Sequence, residues 1–312
     1  MTAKVDILLA TYNGEKFLDE QLASLFNQEM KDFMIYIRDD GSTDQTLNII
    51  SKWKGLYPLQ VTFIEDKKKN LGPTMNFNEL MLHSKAPYIC FSDQDDKWLP
   101  NKLSLQLEKI QSLEKKYPRQ GILVFSDLIF CDADLNVVCP SLIDKDRLNC
   151  TSLGANRLLM QNVPYGCASI INRILLETAI PIDSRALLHD HWLAIIAALT
   201  GQIAYLDEAL IYHRVHDSNC SRAKSIHKLE AKDTLVSKVN NENFNHYLKK
   251  LTLQAEAVLD TCKPILEENQ IVMLDEFISL SSTRGLKRKW LILKNKFFKN
   301  TFFNTVKILV RA

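Results

Sequence analysis

The sequence predicts an α/β fold: a mainly parallel sheet covered by helices on both faces, followed by an all-helical C-terminal region. Three observations predict it. Short apolar runs alternate with helically spaced apolar residues through the first half. The strand exits Thr11-Tyr12-Asn13, Asp39-Asp40-Gly41 and Asp93-Gln94-Asp95 are all polar, as expected where ligands sit beyond the carboxyl ends of parallel strands. The final ninety or so residues carry helical patterns with few glycines or prolines.

Each element follows from its residues. Residues 5–10 read as a buried strand. Residues 15–28 read as a helix, because Phe17, Leu18, Leu22, Leu25 and Phe26 fall at helical spacing. Residues 33–37 form the next strand, and 44–53 a helix capped by Ser42 or Thr43. Residues 60–64 are a third strand, and 73–83 a helix with Pro73 at an early position. Residues 88–91, 100–115 and 121–126 complete the series as strand, helix and strand. From about Cys131 to Asn219 the alternation fades into short mixed elements.

At 312 residues the chain has room for a full core, and 46% hydrophobic with 24% charged residues is ordinary for a globular protein. The seven cysteines form no CxxC pair or metal-ligand spacing, which fits buried thiols in a reducing compartment. The N-terminal apolar run is too short for a signal peptide, and no segment reaches the length of a membrane span. A cytoplasmic protein with at most a peripheral membrane contact is expected, and the body of the chain carries no nucleic-acid module.

The acidic exits carry the chemistry. In SDQDDKW, Asp93 and Asp95 fall on one side of an extended segment, and two hard oxygen donors there suit Mg²⁺ or Mn²⁺ shared with phosphate oxygens. Asp96 is the carboxylate expected to cap the helix that follows. Asp39 and Asp40 are placed to accept hydrogen bonds from a nucleobase or ribose.

The stretches LLATYNGEKFLDEQLASLFNQ, RDDGSTDQT, SDQDD and HDHW resemble an inverting family 2 glycosyltransferase of GT-A fold, over residues 4–220. The wording SDQDDKWLPNKL and YHRVHDSN is most similar to bacterial rhamnosyltransferases of cell-wall and capsular polysaccharides. The resemblance implies a GT-A domain over residues 1–220, a Rossmann-like, mostly parallel sheet, with a helical region over 221–312. It assigns Thr11, Tyr12 and Asn13 to the nucleotide pocket, Asp40 to the base with Asp39 beside it, and Gly72 to a loop near the nucleotide. Asp93 faces the ribose or metal, and Asp95 is the main ligand of Mn²⁺ or Mg²⁺.

An inverting displacement also needs a base opposite the leaving group. The resemblance gives that role to Asp190 in HDHW, where His189 replaces the family's usual Glu; a helix N-cap is the alternative for Asp190. Trp192 is expected in the sugar or acceptor pocket, or in the core, and Gly166 in a segment approaching the acceptor. Arg214 is expected at the diphosphate, and His216, ranked above His213, in the metal shell. Residues 287–311 interleave Lys and Arg with Trp290 and several Phe, Leu and Ile, the composition of a basic amphipathic helix on an anionic membrane surface. Packing of its apolar face on another helix, or on a second subunit as a homodimer, is the alternative. The expected function is transfer of L-rhamnose from dTDP-L-rhamnose to a lipid-linked glycan. The rivals are a UDP-hexose donor, an inactive nucleotide-sugar-binding scaffold, and a sugar nucleotidyltransferase. The last lacks its glycine-rich basic loop, since ATYNGEKF has one Gly.

Overall fold

The computed structural model describes residues 3–150, 153–216 and 241–299. The first half alternates as expected: β1 (Val5–Thr11), α1 (Leu18–Phe26), β2 (Phe33–Asp39), α2 (Thr46–Leu56), β3 (Val61–Phe63), α3 (Gly72–His83) and β4 (Tyr88–Ser92). There follow β5 (Lys97–Trp98), α4 (Lys102–Lys116), β6 (Gly121–Cys131), β7 (Val137–Cys139), α5 (Leu142–Asp146), α6 (Ala155–Leu158), β8 (Ser169–Asn172), α7 (Arg173–Ala179), α8 (His189–Thr200) and β9 (Gly201–Arg214). Three longer helices, Asn241–Cys262, Glu268–Ile278 and Gly285–Lys294, close the described chain.

The nine strands form one sheet in the order β3-β2-β1-β4-β8-β6-β9-β5, with β7 paired to β6. Strands β1 to β4 run parallel, β8 runs antiparallel to both β4 and β6, β9 is parallel to β6, and β5 is antiparallel to β9. Register sets the site. Thr11 lies opposite Asp39 and Leu9 opposite Ser92, so the exits of β1, β2 and β4 meet at one edge.

Successive strand residues point to opposite faces, and both faces are covered. Ile7, Leu9, Cys90, Ile122 and Val124 pack beneath α1 and α4. Leu8, Ile89, Phe91, Leu123 and Phe125 pack with Phe77 of α3 and Trp192 of α8. Phe244, Leu248, Leu251, Leu274, Phe277 and Leu291 of the C-terminal helices join that second core. The boundary expected at 220/221 lies outside the described residues.

The expected caps differ from those seen. No side chain caps α2 at its N-cap, Gln45; instead the Asp44 carboxylate accepts from the Thr46 backbone N–H at 3.0 Å, while Ser42 and Thr43 belong to the loop before it. Helix α4 begins at Lys102 with Asn101 at its N-cap and no side-chain cap, so Asp96 does not serve it. The expected helix over 287–311 is corrected: it ends at Lys294 with Asn295 as its C-cap, residues 295–299 leave it with Lys296 at φ +54, and residues 300–312 lie outside the described residues.

Candidate active site

Carboxylates at the β2 exit hold the neighbouring loops. Asp39 accepts from the backbone N–H groups of Gly41 (3.0 Å) and Ser42 (2.7 Å) and from the hydroxyls of Thr11 (3.0 Å) and Ser42 (2.5 Å). The Asp40 carboxylate accepts from Arg38 Nη1 at 3.3 Å and from the backbone N–H groups of Leu71 at 2.9 Å and Gly72 at 2.8 Å. Gly72 has φ +76, a backbone region that favours glycine, and this turn brings its N–H to Asp40. Both acids therefore hold loops, and backbone amides that would otherwise be unpaired find acceptors in them.

The β1 exit is fixed just as firmly. Asn13, at φ +49, donates its backbone N–H to Ser42 Oγ at 2.8 Å and accepts from the Thr43 N–H at 2.9 Å. The Gln94 side-chain amide brackets Tyr12, accepting its N–H at 2.8 Å and donating to its carbonyl at 2.9 Å. A Cβ on Gly14 would stand 2.2 Å from Gln94 Oε1, so only glycine admits this bracket. Tyr12 remains 49% exposed, a ring free to stack on a planar ligand. With Asn13, Lys16, Gln94, Asp132 and His216 it lines a cleft of about 650 Å³.

At the β4 exit, His216 Nε2 lies 3.0 Å from Asp95 Oδ2, and its ring packs on Phe17 with centroids 4.7 Å apart. Arg214 does not reach for a ligand. Its guanidinium donates to Asp95 O (2.9 Å), Ala133 O (2.6 Å) and Glu20 Oε2 (2.7 Å), so the expectation of a diphosphate contact is corrected to a positioning role behind Asp95. Burial, then the neighbouring carboxylates Asp96 and Asp95, push the Asp93 carboxyl well above its usual range; Asp190 adds to the effect and His213 opposes it. Asp96 is buried, 2.9 Å from His213 Nδ1. Burial disfavours the charged His213 ring, but Asp96 outweighs it and keeps the imidazole protonated above the ordinary histidine range.

Two donor sets could be asked to hold a cation. Asp96, Cys167 and His213 bring one ligand atom each to within 4.8 Å of one another. All three are buried, burial and the Asp96 charge push the thiol up, and the positive field of Lys102 reaches Asp96 and Cys167. This set does not fit a hard cation shared with a diphosphate. The Asp95 oxygen and His216 nitrogen, beside the open cleft, do fit one.

The expected base stands at the start of α8. Asp190 lies one residue inside the helix, whose N-cap is Leu188. Its carboxylate accepts from the Gly166 N–H at 3.0 Å and the His191 N–H at 2.6 Å. Burial pushes its carboxyl up to about 6, against these hydrogen bonds. His189 is packed on Phe77 with centroids 4.0 Å apart, and burial lowers its pKa to about 3, leaving a neutral ring. Trp192 is 0% exposed and its indole N–H donates to Ala179 O at 2.9 Å. It is a core residue, the second of its two expected places and not the pocket.

Residues 6–136 match the family described as Glycosyl transferase family 2. Over this stretch the chain is similar to a family 2 glycosyltransferase domain. A dTDP-rhamnosyl transferase (RfbG) of Shigella flexneri is 29% identical over 270 residues, covering 81% of this chain and 85% of the relative. A poly(ribitol-phosphate) beta-N-acetylglucosaminyltransferase (TarS) of Staphylococcus aureus is 34% identical over 95 residues, covering 30% of this chain and 16% of the relative. Among solved structures, S. aureus TarS 1–349 in complex with UDP-GlcNAc aligns at TM-score 0.57 and 18% identity, over 94% of this chain and 80% of that one. The mannosyltransferase PcManGT of Pyrobaculum calidifontis, in complex with GDP-Man and Mn²⁺, aligns at TM-score 0.55 and 14% identity, over 95% of this chain and 74% of that one. These neighbours establish the GT-A fold of the glycosyltransferase domain.

Of the expected site residues, Tyr12, Asn13 and His216 line the cleft. Thr11, Asp39, Asp40 and Gly72 are tied into the loops at the β1 and β2 exits, and Asp95 meets His216. Asp190 lies within the electrostatic reach of Asp93. The Asp217-Ser218-Asn219 stretch lies outside the described residues. Sequence reading passed over Gln94, although a polar side chain between two metal-type acids was a signal. It also passed over Phe17 and Glu20, whose helical spacing gave no sign of their partners His216 and Arg214.

Proposed function

We propose that the protein is a metal-dependent inverting glycosyltransferase that moves L-rhamnose from dTDP-L-rhamnose to a hydroxyl of a lipid-linked cell-wall or capsular polysaccharide precursor. The observation that carries this reading is a pair of unlike carboxyls within electrostatic reach of one another. Asp190 has its pKa raised to about 6 and is felt by Asp93, which shares the β4 exit with Asp95 of the Asp95–His216 pair.

In this reading Asp190 accepts the proton of the acceptor hydroxyl. The freed oxygen attacks the anomeric carbon from the face opposite the diphosphate, the carbon–oxygen bond to phosphate breaks, and the nucleoside diphosphate leaves. A carboxyl with pKa near 6 suits the work: it is ionised at neutral pH yet more basic than an ordinary Asp. Asp95 and His216, with Asp93, would hold the divalent cation, and it would supply positive charge for the diphosphate. Tyr12 stacks on the base, and the loops fixed by Asp39 and Asp40 shape the floor with Thr11, Asn13 and Gly72.

The rhamnosyl donor is supported by the S. flexneri relative, named a dTDP-rhamnosyl transferase and aligned over most of both chains. A UDP-sugar donor is the second reading, favoured by the UDP-GlcNAc complex among the structural neighbours. A panel of dTDP-rhamnose, UDP-glucose, UDP-galactose and UDP-N-acetylglucosamine, each with and without Mn²⁺, tests both. Turnover of dTDP-rhamnose alone, and only with metal, is expected. Metal-independent turnover would remove the Asp95–His216 role, and preference for a UDP-sugar would replace the donor.

A further inference from the structure

The helix Gly285–Lys294 has two apolar faces, and only one is used inside the protein. Leu291 and Ile292 are buried in the shared core, and Arg288 between them is tied inward through Thr283 O (2.6 Å) and Asn245 Oδ1 (2.9 Å). Past the helix end, buried Phe297 packs edge-on against Phe277 with centroids 4.9 Å apart. Asn156 of α6 donates to the carbonyls of Asn295 (3.0 Å) and Lys296 (3.2 Å), which fixes the helix against the glycosyltransferase domain.

Opposite that face, Leu286, Trp290 and Leu293 recur at i, i+4 and i+7, a single stripe along the helix. Among the described residues they are 86%, 57% and 53% exposed. At 3.6 residues per turn, Lys287 and Lys294 flank the stripe on one side and Lys289 on the other. No acidic residue follows Glu276, which itself pairs with Lys294 and Asn295.

We propose that this outer face docks on an anionic lipid bilayer, with the Leu286–Trp290–Leu293 stripe at the headgroup boundary and Lys287 and Lys289 reaching lipid phosphates. Both halves of the stripe's chemistry point that way. An apolar strip three residues long is too narrow for a stable protein interface by itself, and its two basic margins match a negative sheet of charge. The indole of Trp290 is amphipathic and suits the headgroup level. The inference does not depend on the donor, the metal or the transfer reaction, and its test uses no sugar nucleotide.

The test is co-sedimentation of the full chain with vesicles of phosphatidylglycerol or of phosphatidylcholine, followed by tryptophan quenching with brominated lipid. Trp53, Trp98 and Trp192 are buried, so Trp290 dominates the quenchable signal. Binding to phosphatidylglycerol at least about tenfold tighter than to phosphatidylcholine is expected, with quenching that disappears in Trp290→Phe. The triple variant Leu286→Ser, Trp290→Ser, Leu293→Ser touches no core residue and should bind at least about tenfold more weakly while keeping the wild-type thermal transition. Absence of binding overturns the proposal, as does undiminished binding of the triple variant, which moves the contact elsewhere in the chain. A dimer in lipid-free solution that the triple variant abolishes, without vesicle binding, replaces the bilayer by a second copy.

Discussion

Asp190 is the residue where function and stability pull in opposite directions. Its folded pKa of about 6 exceeds the ordinary 3.8, so the folded state binds its proton more tightly than the unfolded chain does. The stability this provides is fully present below about pH 4 and is lost as pH rises through about 6. The loss amounts to about 3 kcal/mol as an upper bound. Activity runs the other way, because a base must be ionised: kcat/KM should rise with pH through about 6. Asp190→Asn should lower transfer by about 10²–10⁴. It should also flatten the fall of melting temperature between pH 4 and pH 7, and a variant whose melting profile tracks the wild type would remove the buried-carboxylate account. Asp95→Asn is expected to differ from it in one respect. Transfer falls in both, but only Asp95→Asn should weaken nucleotide binding when Mn²⁺ is present, as measured by calorimetry with and without chelator.

The loop before β8 and the start of α8 form the element that aims this carboxylate. A Cβ on Gly166 would stand 2.5 Å from His189 Nε2 and 3.4 Å from Asp190 Cβ, while the Gly166 N–H is one of the donors holding Asp190. Gly166→Ala should therefore cost about 1–3 kcal/mol and lower kcat more than it raises KM, because it displaces the base and not the nucleotide loops. In a His189→Ala background the same substitution should cost clearly less by urea denaturation, since the clashing ring is gone. The sequence showed the Gly and the Asp but not their contact, because residues 166 and 190 meet only through tertiary folding. Legibility followed range throughout. The parallel strands β1 to β4 are local patterns, and their reading stands. The two-residue β5 and the antiparallel β8 carry too little periodicity to read. Trp192 and Arg214 looked functional because large and charged residues beside a motif invite that reading. Only packing shows one filling the core and the other bonded to Glu20.

Across the whole molecule, the C-terminal helices share one core with the sheet. Phe277, Leu251 and Leu291 lie in the same buried cluster as Trp192, Phe77 and Phe91, and Gln254 Nε2 lies 3.1 Å from His191 Nδ1, one residue beyond the proposed base. Gln254 also accepts the Leu187 N–H at 2.7 Å, just ahead of α8, and Gln270 donates to Leu199 O at 2.7 Å near its end. Helix α8 is thus gripped along its length by the helices that follow it in sequence. A division of the chain into residues 1–220 and 221–312 is therefore best posed as a question of cooperativity. Phe277→Ala removes a fully buried ring at the centre of the C-terminal helices and should cost about 3–5 kcal/mol. If the core is shared in energy as it is in contact, thermal unfolding followed by far-UV circular dichroism and loss of transfer activity should move together to lower temperature, in one transition. Two transitions, with activity surviving the first, would instead make the helical region an independent unit resting on a self-sufficient glycosyltransferase domain.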